Sequence, residues 1–428
     1  MFDSLGTGRD VCGAFHMTSG HTEIFSEFQQ PAGTEGVKDL AFSEQEYARR
    51  LQGAQRNIAR QGLEGLVCTF MPNISYLSGY ETLASAAPAF LLVPTDGDPL
   101  LLVDEFEAYN ALVSCWLQDV VTFPWAGDPI MALCELLRQR GWGQKRLGWE
   151  HHQHGGGYQA FVVVQEAITV DPIYCHGLVE QVRAVKSREE IESLREAARL
   201  TSLGFEMAVD AVVDGAMDAE VAAAAYGAII GGGSERMSIQ PIVTIGDHSG
   251  IPHTTFRRRR IARGDAVLME WGACVNRYTA PMIRTGIVGD FADSLWGDMY
   301  VACLTAVERT IARMRPGAST ILIAEEASES LLELPTQVFS DGNRGYSVGL
   351  GFEPDWADVP GLQMATRGWR STKSIETYPV LQPGHVFHVR AVARDIGRAG
   401  VGVSETVAVT DTGCEVLTNR DRELVRTC

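Results

Sequence analysis

The chain has 428 residues, 45% of them hydrophobic and 21% charged, a make-up that suits two or three globular domains and excludes collagen-like, low-complexity and small disulfide-stapled classes. Thirty-six Lys and Arg against 54 Asp and Glu give a net charge of −18, which argues against a general attraction to nucleic-acid phosphates or anionic membrane surfaces. Nine scattered cysteines without a C-x-x-C pair read as free thiols in a reducing cytoplasm, not as a disulfide framework or zinc knuckle.

The opening MFDSLGTGRDVCGAFHM lacks the basic start and apolar stretch of a secretory signal. No run reaches the roughly 18 to 20 apolar residues of a membrane-spanning helix, so a soluble cytoplasmic protein is expected. Residues 1–40, rich in Gly, Thr and polar residues, read as an N-terminal extension. From Ser43 the spacing predicts a helix capped by Ser43 and Glu46 and stopped at Gly62, followed by a strand at Leu66–Phe70. A Gly-Asp turn between AFLLV and PLLLV predicts a hairpin, and the alternation of strands and helices makes residues 41–182 an α/β domain. Ser187 and Glu190 form a second capping box at the entrance to a domain over 183–428. Long helices are expected from Ser294 to Arg315 and from Thr320 to Leu334, with strands at 265–271, 282–288, 385–393 and 403–409. Glu270 lies six positions after Gly264 and Arg390 six positions after Gly384, a register that points to an internal duplication with two related strands facing one site.

Residues two apart share one face of a strand, so Glu270 lines up with Ala266 and Leu268 in an apolar setting. A carboxylate there is costly to bury unless it is paired, and burial raises its pKa. It is either a functional acid or a structural partner of Arg284 or Arg277. His253, in SGIPHTTF, stands in a Gly/Pro-containing segment where a loop would present it; it is either a surface or structural residue or an imidazole placed to exchange protons near neutral pH. Glu405 sits inside the alternating strand SETVAV; Arg390 and His388 share a face of another strand. Arg390 is suited to holding a substrate carboxylate or to pairing with Glu405. Tyr346, in RGYSVGLGFEPDW, belongs to a glycine-rich loop next to a ligand or to the core. The tract His151–His154 followed by three glycines lacks a further ligand at metal-site spacing. IIGGGSER lacks the G-K-[ST] ending of a phosphate loop, and no G-x-S-x-G elbow occurs.

Taken together, EGLVCTFMPNISYLSGY, VRAVKSREEIESLREAARLT, RTGIVGD, RPGAST, LQPGHVFHV and SETVAVTDTGCEVLT resemble the pita-bread (M24) metallopeptidase-like family, which includes prolidase, creatinase and proline aminopeptidases. The resemblance implies an α+β chain: a creatinase-like α/β N-terminal domain followed by a pita-bread domain with pseudo-twofold duplication. It carries the five metal-ligand positions of the peptidases to Glu270, Pro281, Tyr346, Arg390 and Glu405. Proline has no side-chain donor and a guanidinium repels cations, so a metal-free member without a cofactor is expected. The creatinase substrate glutamates fall on Ile283 and Arg390, whereas EWGACVNRYTAPMIRT and GYSVGLGFEPDW are similar to the ectoine hydrolase group.

That resemblance implies a hydrolase opening a small cyclic amidine or amide, with Glu270 as nucleophile or activator of water, His253 shuttling a proton to the departing nitrogen and Glu405 orienting the cationic ring. Tyr346, Arg390, His388 and Tyr278 are the expected substrate-binding residues, and a homodimer acting on a small molecule is implied, with no nucleic-acid or membrane partner. The rival readings are a creatinase-like amidinohydrolase, an Xaa-Pro dipeptidase, and an inactive pita-bread binding module.

Overall fold

The computed structural model describes residues 24–25, 38–85, 87–150, 157–237, 239–353, 355–369, 377–418 and 420–427. The His151–His154 tract, and the expected extension apart from residues 24–25 and 38–40, lie outside the described residues. Among the described residues no helix is long and apolar enough to cross a membrane.

The first sheet has six strands: β1 (Gly65–Cys68), β2 (Phe90–Pro94), β3 (Leu100–Asp104), β4 (Asp119–Phe123), β5 (Leu147–Glu150) and β6 (Ile173–Cys175). Their order is β4-β3-β2-β1-β5-β6, with β1 antiparallel to β2 and parallel to β5. The expected hairpin is β2–β3, turning at Gly97 with φ 88°. Its strands are apolar on both faces because helices cover both sides. The helix Glu44–Arg60 starts at Ser43, whose side chain caps Glu46 N, and ends before Gly62 at φ 67°.

The remaining strands form two further sheets. One holds β7 (Arg236–Met237), β8 (Ile242–Ile245), β9 (Ala266–Val275) and β10 (Tyr278–Val288), joined at its edge by the C-terminal β17 (Val425–Thr427). The other holds β11 (Val338–Phe339), β12 (Asn343–Ser347), β13 (Gln363–Ala365), β14 (Val386–Asp395), β15 (Ala399–Val409) and β16 (Cys414–Val416). The duplication read from sequence is visible as two matched hairpins, with strands of 10 and 11 residues in β9–β10 and again in β14–β15. The first turns through Asn276 and Arg277, both at positive φ as a tight two-residue hairpin requires; the second turns through Gly397.

Each hairpin buries its outer face under a helix pair. Trp271 stacks on Phe205 at 3.9 Å beneath the helices Arg188–Val209 and Asp218–Gly231. Phe387, Val389, Ala391 and Val403 pack under Ser294–Arg313 and Thr320–Leu332. The inner faces are left to the site. Between the two sheets, β10 and β15 are joined by side chains in place of a backbone ladder. Thr285 Oγ1 donates to Gly402 O at 2.9 Å and accepts from Gly402 N at 2.8 Å, and Thr406 Oγ1 donates to Pro281 O at 2.8 Å. Pro281 is tolerated in mid-strand because the neighbouring N–H groups of Thr279 and Ile283 point away from β9, so its missing donor falls on this seam and not in the ladder. Gly402 is needed here, since a Cβ would come within 3.0 Å of Val392 and 3.2 Å of Ile283.

The junction between the two domains is clamped by charge to the segment after β12. Asp358 accepts from Arg183 and lies 2.6 Å from Lys186, and all three are fully buried. Both cations belong to the VRAVKS junction, so the junction pins the loop that follows Tyr346.

Candidate active site

Strand period two fixes the composition of the site. On β9 and β10, Leu268, Glu270, Pro281 and Ile283 share the inner face, with Glu270 directly opposite Ile283. On β14 and β15 the inner face carries His388, Arg390, Val392 and Arg394 opposite Thr406, Ser404, Gly402 and Gly400. Tyr346 of β12 pairs with His388. Leu268, Ile283 and Val392 touch and make an apolar floor.

Glu270 is the acid on this floor. Burial pushes its carboxyl above the usual range, while the positive charges of Arg390 and Arg394 pull it down. Its carboxylate forms no hydrogen bond among the described residues. The structural pairings considered for it are taken elsewhere: Arg284 pairs with Glu405 and Arg277 with Glu81. Arg390 is held by Asp341 at 2.6 Å and lies 5.7 Å from the Tyr346 ring centre, so its expected alternative partner, Glu405, is not the one it has. Arg394 donates to Ser249 O at 2.6 Å and reaches Ile251 O at 3.4 Å. It thereby ties the His253 segment to the rim of the site. Thr255, two residues on from His253, is hydrogen-bonded to Pro241 and Val243 of the β8 edge, and Ile242 of β8 is the partner of Glu270. His253 itself is exposed and adopts φ 55°, an uncommon conformation for a non-glycine residue.

His388 is fully buried between two hydroxyls, with Nδ1 2.8 Å from Tyr346 Oη and Nε2 2.6 Å from Ser404 Oγ. Burial presses its imidazole well below the usual value, reinforced by the charge of Arg390, so the ring is neutral. Trp356 Nε1 donates to Tyr346 Oη at 2.8 Å.

Two residues assigned to the site from sequence do not reach it. Glu405 has the opposite strand parity from Ser404 and faces away, where it accepts from Arg284 at 2.6 Å, Arg422 at 2.9 Å and the Thr418 hydroxyl. It is a fully buried structural acid, and the residue of β15 that faces Arg390 is Ser404. Tyr278 likewise has the parity opposite to Pro281 and Ile283; its hydroxyl donates to Glu190 Oε1 at 2.7 Å and its ring meets Phe42 edge-on. It joins the first domain to the second. The residues missed in the sequence are Arg394, Ser404, Asp341 and Trp356. The first two could have been found by stepping along each strand in twos from Arg390 and from its cross-strand partner.

The inner-face positions corresponding to a two-metal centre are thus Glu270, Pro281, Tyr346, Arg390 and Ser404. One carboxylate, a proline with no side-chain donor, a phenol already engaged by Trp356 and His388, a serine already engaged by His388, and one guanidinium group do not make a donor set for two divalent cations.

Residues 192–411 match the model of metallopeptidase family M24, and residues 50–185 match the creatinase/prolidase N-terminal domain. The chain is 28% identical to an uncharacterized hydrolase/peptidase of Sinorhizobium fredii, over 91% of this chain and 99% of that one. It is 25% identical to the ectoine hydrolase of Halomonas elongata, over 90% of this chain and 98% of that one. The Xaa-Pro dipeptidase structure from Bacillus anthracis superposes with a TM-score of 0.75 at 23% identity, covering 89% of this chain and 100% of the other. The match over the two facing hairpins and their helix pairs, with the N-terminal match ahead of it, makes the chain a member of metallopeptidase family M24, a family of hydrolases, with a creatinase/prolidase N-terminal domain.

Proposed function

We propose that this M24 protein is a metal-independent hydrolase that opens a small cyclic amidine bearing a carboxylate, ectoine or a close relative. The observation that carries the reading is the setting of Glu270: an acid on an apolar floor, without a hydrogen bond among the described residues, facing Arg390 and Arg394 with no direct ion pair to either. The gap between one carboxylate and two guanidinium groups suits a zwitterion, its carboxylate towards the arginines and its cationic amidine carbon towards Glu270. Full-length similarity to an ectoine hydrolase supports the substrate class.

Glu270 adds to the amidinium carbon, or activates water to do so, and the charge of the ring supplies the electrophile. His253, exposed on the loop that Arg394 ties to the rim, exchanges protons with solvent water. Arg390 and Tyr346 bind the ring substituents. A peptidase reading is disfavoured by Pro281 and Arg390, which stand where metal ligands would be needed.

The test is ring opening of ectoine followed by proton NMR, using protein whose metal content has been measured before and after chelation. Turnover insensitive to chelation is expected. Xaa-Pro dipeptide cleavage that needs about two equivalents of divalent metal, with ectoine left intact, would overturn the proposal.

A further inference from the structure

We propose that Tyr346 is a catalytic proton donor of this site, its hydroxyl hydrogen left free for substrate by a fixed hydrogen-bond chain from Ser404 through His388. The assignment rests on the hydrolase reading above for the identity of the substrate, but the direction of the chain follows from hydrogen-bond accounting alone.

Three exchangeable hydrogens, one each on Tyr346, His388 and Ser404, serve two links, so one hydrogen always points out of the chain. Ser404 Oγ already accepts from Ile283 N at 2.6 Å. If His388 carried its hydrogen on Nε2, Ser404 would accept twice and its own hydroxyl hydrogen, at a fully buried position, would have no acceptor among the described residues. Such an orphan donor costs about 1–3 kcal/mol. With the hydrogen on Nδ1 the buried serine is satisfied. Ser404 donates to Nε2, Nδ1 donates to Tyr346 Oη, Trp356 Nε1 donates to the same oxygen, and the spare hydrogen falls on Tyr346, which is half-buried and so open to solvent or a bound molecule.

Burial and the charge of Glu270 hold the Tyr346 phenol above its usual value, and the groups around its oxygen work against them in favour of the phenolate that donation would leave. Two N–H groups converge on Oη, and the Arg390 guanidinium lies 5.7 Å from the ring centre. The buried imidazole stays neutral, so His388 positions Tyr346 and is not itself the acid.

Addition of the Glu270 carboxylate to the amidinium carbon forms a C–O bond. The ring C–N bond then breaks with its electron pair on nitrogen, which takes the Tyr346 hydrogen. Water adds to the carbon left behind and returns one proton to the phenolate, and as Glu270 departs as carboxylate the second water proton passes to the released amine. The net change is amidinium plus water to amide plus ammonium. Tyr346 donates in the same way if Glu270 activates water instead.

Two measurements test the proposal. Long-range proton–nitrogen NMR on protein with labelled histidine, with His388 assigned by its loss in His388→Asn, is expected to give a neutral Nδ1–H ring at pH 7. Ser404→Ala should disturb that tautomer and Ser404→Thr, which keeps the hydroxyl, should restore it. A ring protonated on Nε2 alone, or an imidazolium at pH 7, overturns the proposal whatever the substrate. With ectoine as the probe, Tyr346→Phe should lower kcat by about 10²–10⁴-fold and leave KM within a few-fold. A Tyr346→Phe enzyme with wild-type kcat also overturns it. A wild-type protein that leaves ectoine intact defeats the substrate reading, and the tautomer then decides whether Tyr346 can donate.

Discussion

Replacing Glu405 with alanine would leave Arg284, fully enclosed between β10, β15 and the segment 420–421, with a charge and no counterion. Burial already holds that guanidinium below its usual value, and Glu405 is the main influence against it. Removing one partner of a buried pair costs about 3–5 kcal/mol, because the survivor remains desolvated. The backbone carbonyls of Ile283, Ser404, Asp421 and Arg420 keep part of Arg284 hydrogen-bonded, which places the expectation near the lower figure. For a unit of this size each kcal/mol moves the melting temperature by roughly 2–4 °C, so a fall of about 6–12 °C is expected by calorimetry. Arg422, 26% exposed, is the weaker partner, and Arg422→Ala should cost no more than about 1–2 kcal/mol. Ectoine turnover by Glu405→Ala, assayed well below its melting temperature, should keep kcat within a few-fold of wild type. A melting temperature unchanged within about 2 °C together with a kcat lower by about 100-fold would refute the structural assignment and return Glu405 to the chemistry.

The other expectations concern charge in the site, in the first domain and at the junction between the domains. Glu270 must be ionised to attack, and its raised pKa means that kcat/KM rises with pH through a limb above the usual carboxylate value of about 4.3. Arg394→Met removes one of the two charges that pull that pKa down, so the limb should move to higher pH; an unmoved or lowered limb contradicts the electrostatics. In the first domain, Glu150 is fully buried beside Glu180, and burial followed by the neighbouring acid lifts its carboxyl to about 8. The native state therefore keeps a proton that the unfolded chain has lost, and stability should decline as pH rises from about 4.3 towards 8, by a few kcal/mol. Glu150→Gln should flatten that decline in denaturant titrations, and an equally steep slope in the variant would exclude Glu150 as its source. Asp358→Ala strands the buried Arg183 and Lys186, and a cost of about 3–5 kcal/mol is expected by urea unfolding, with a loss below about 1 kcal/mol counting against the clamp.

Much of this architecture is carried by local pattern. The strands β9, β10, β14 and β15 follow from alternation, the capping box at Ser187 and Glu190 is formed in full, and the helix from Ser294 ends at Arg313, close to the expected position before Pro316. The matched position of Glu270 and Arg390 marked the duplication correctly, because each lies mid-strand on an inner face. Glu405 was misplaced by carrying over a motif position where strand parity gave the better guide. In VGVSETVAV the valines at 401, 403, 407 and 409 share the face of Glu405, and the small residues Gly402, Ser404 and Thr406 share the other. An acid in a valine row signals a buried ion pair, but its partner Arg284 is 121 residues away. Distance along the chain also hid the Arg183–Asp358 clamp, whose members are 175 residues apart. Tyr346 and His388 were legible as neighbours of a site; their hydrogen-bonded chain to Ser404 was not, because it depends on the pairing of three strands.

The most direct test of a metal-independent attack by Glu270 is intact-mass measurement of metal-analysed protein quenched during turnover of ectoine, with peptide mapping across Ala266–Val275. The account predicts chelator-resistant ring opening, a transient mass increase of one substrate-derived acyl or imidoyl group on Glu270 if it is the nucleophile, and loss of both turnover and adduct in Glu270→Gln. Wild-type turnover in Glu270→Gln, or turnover that appears only when divalent metal is restored, would contradict it.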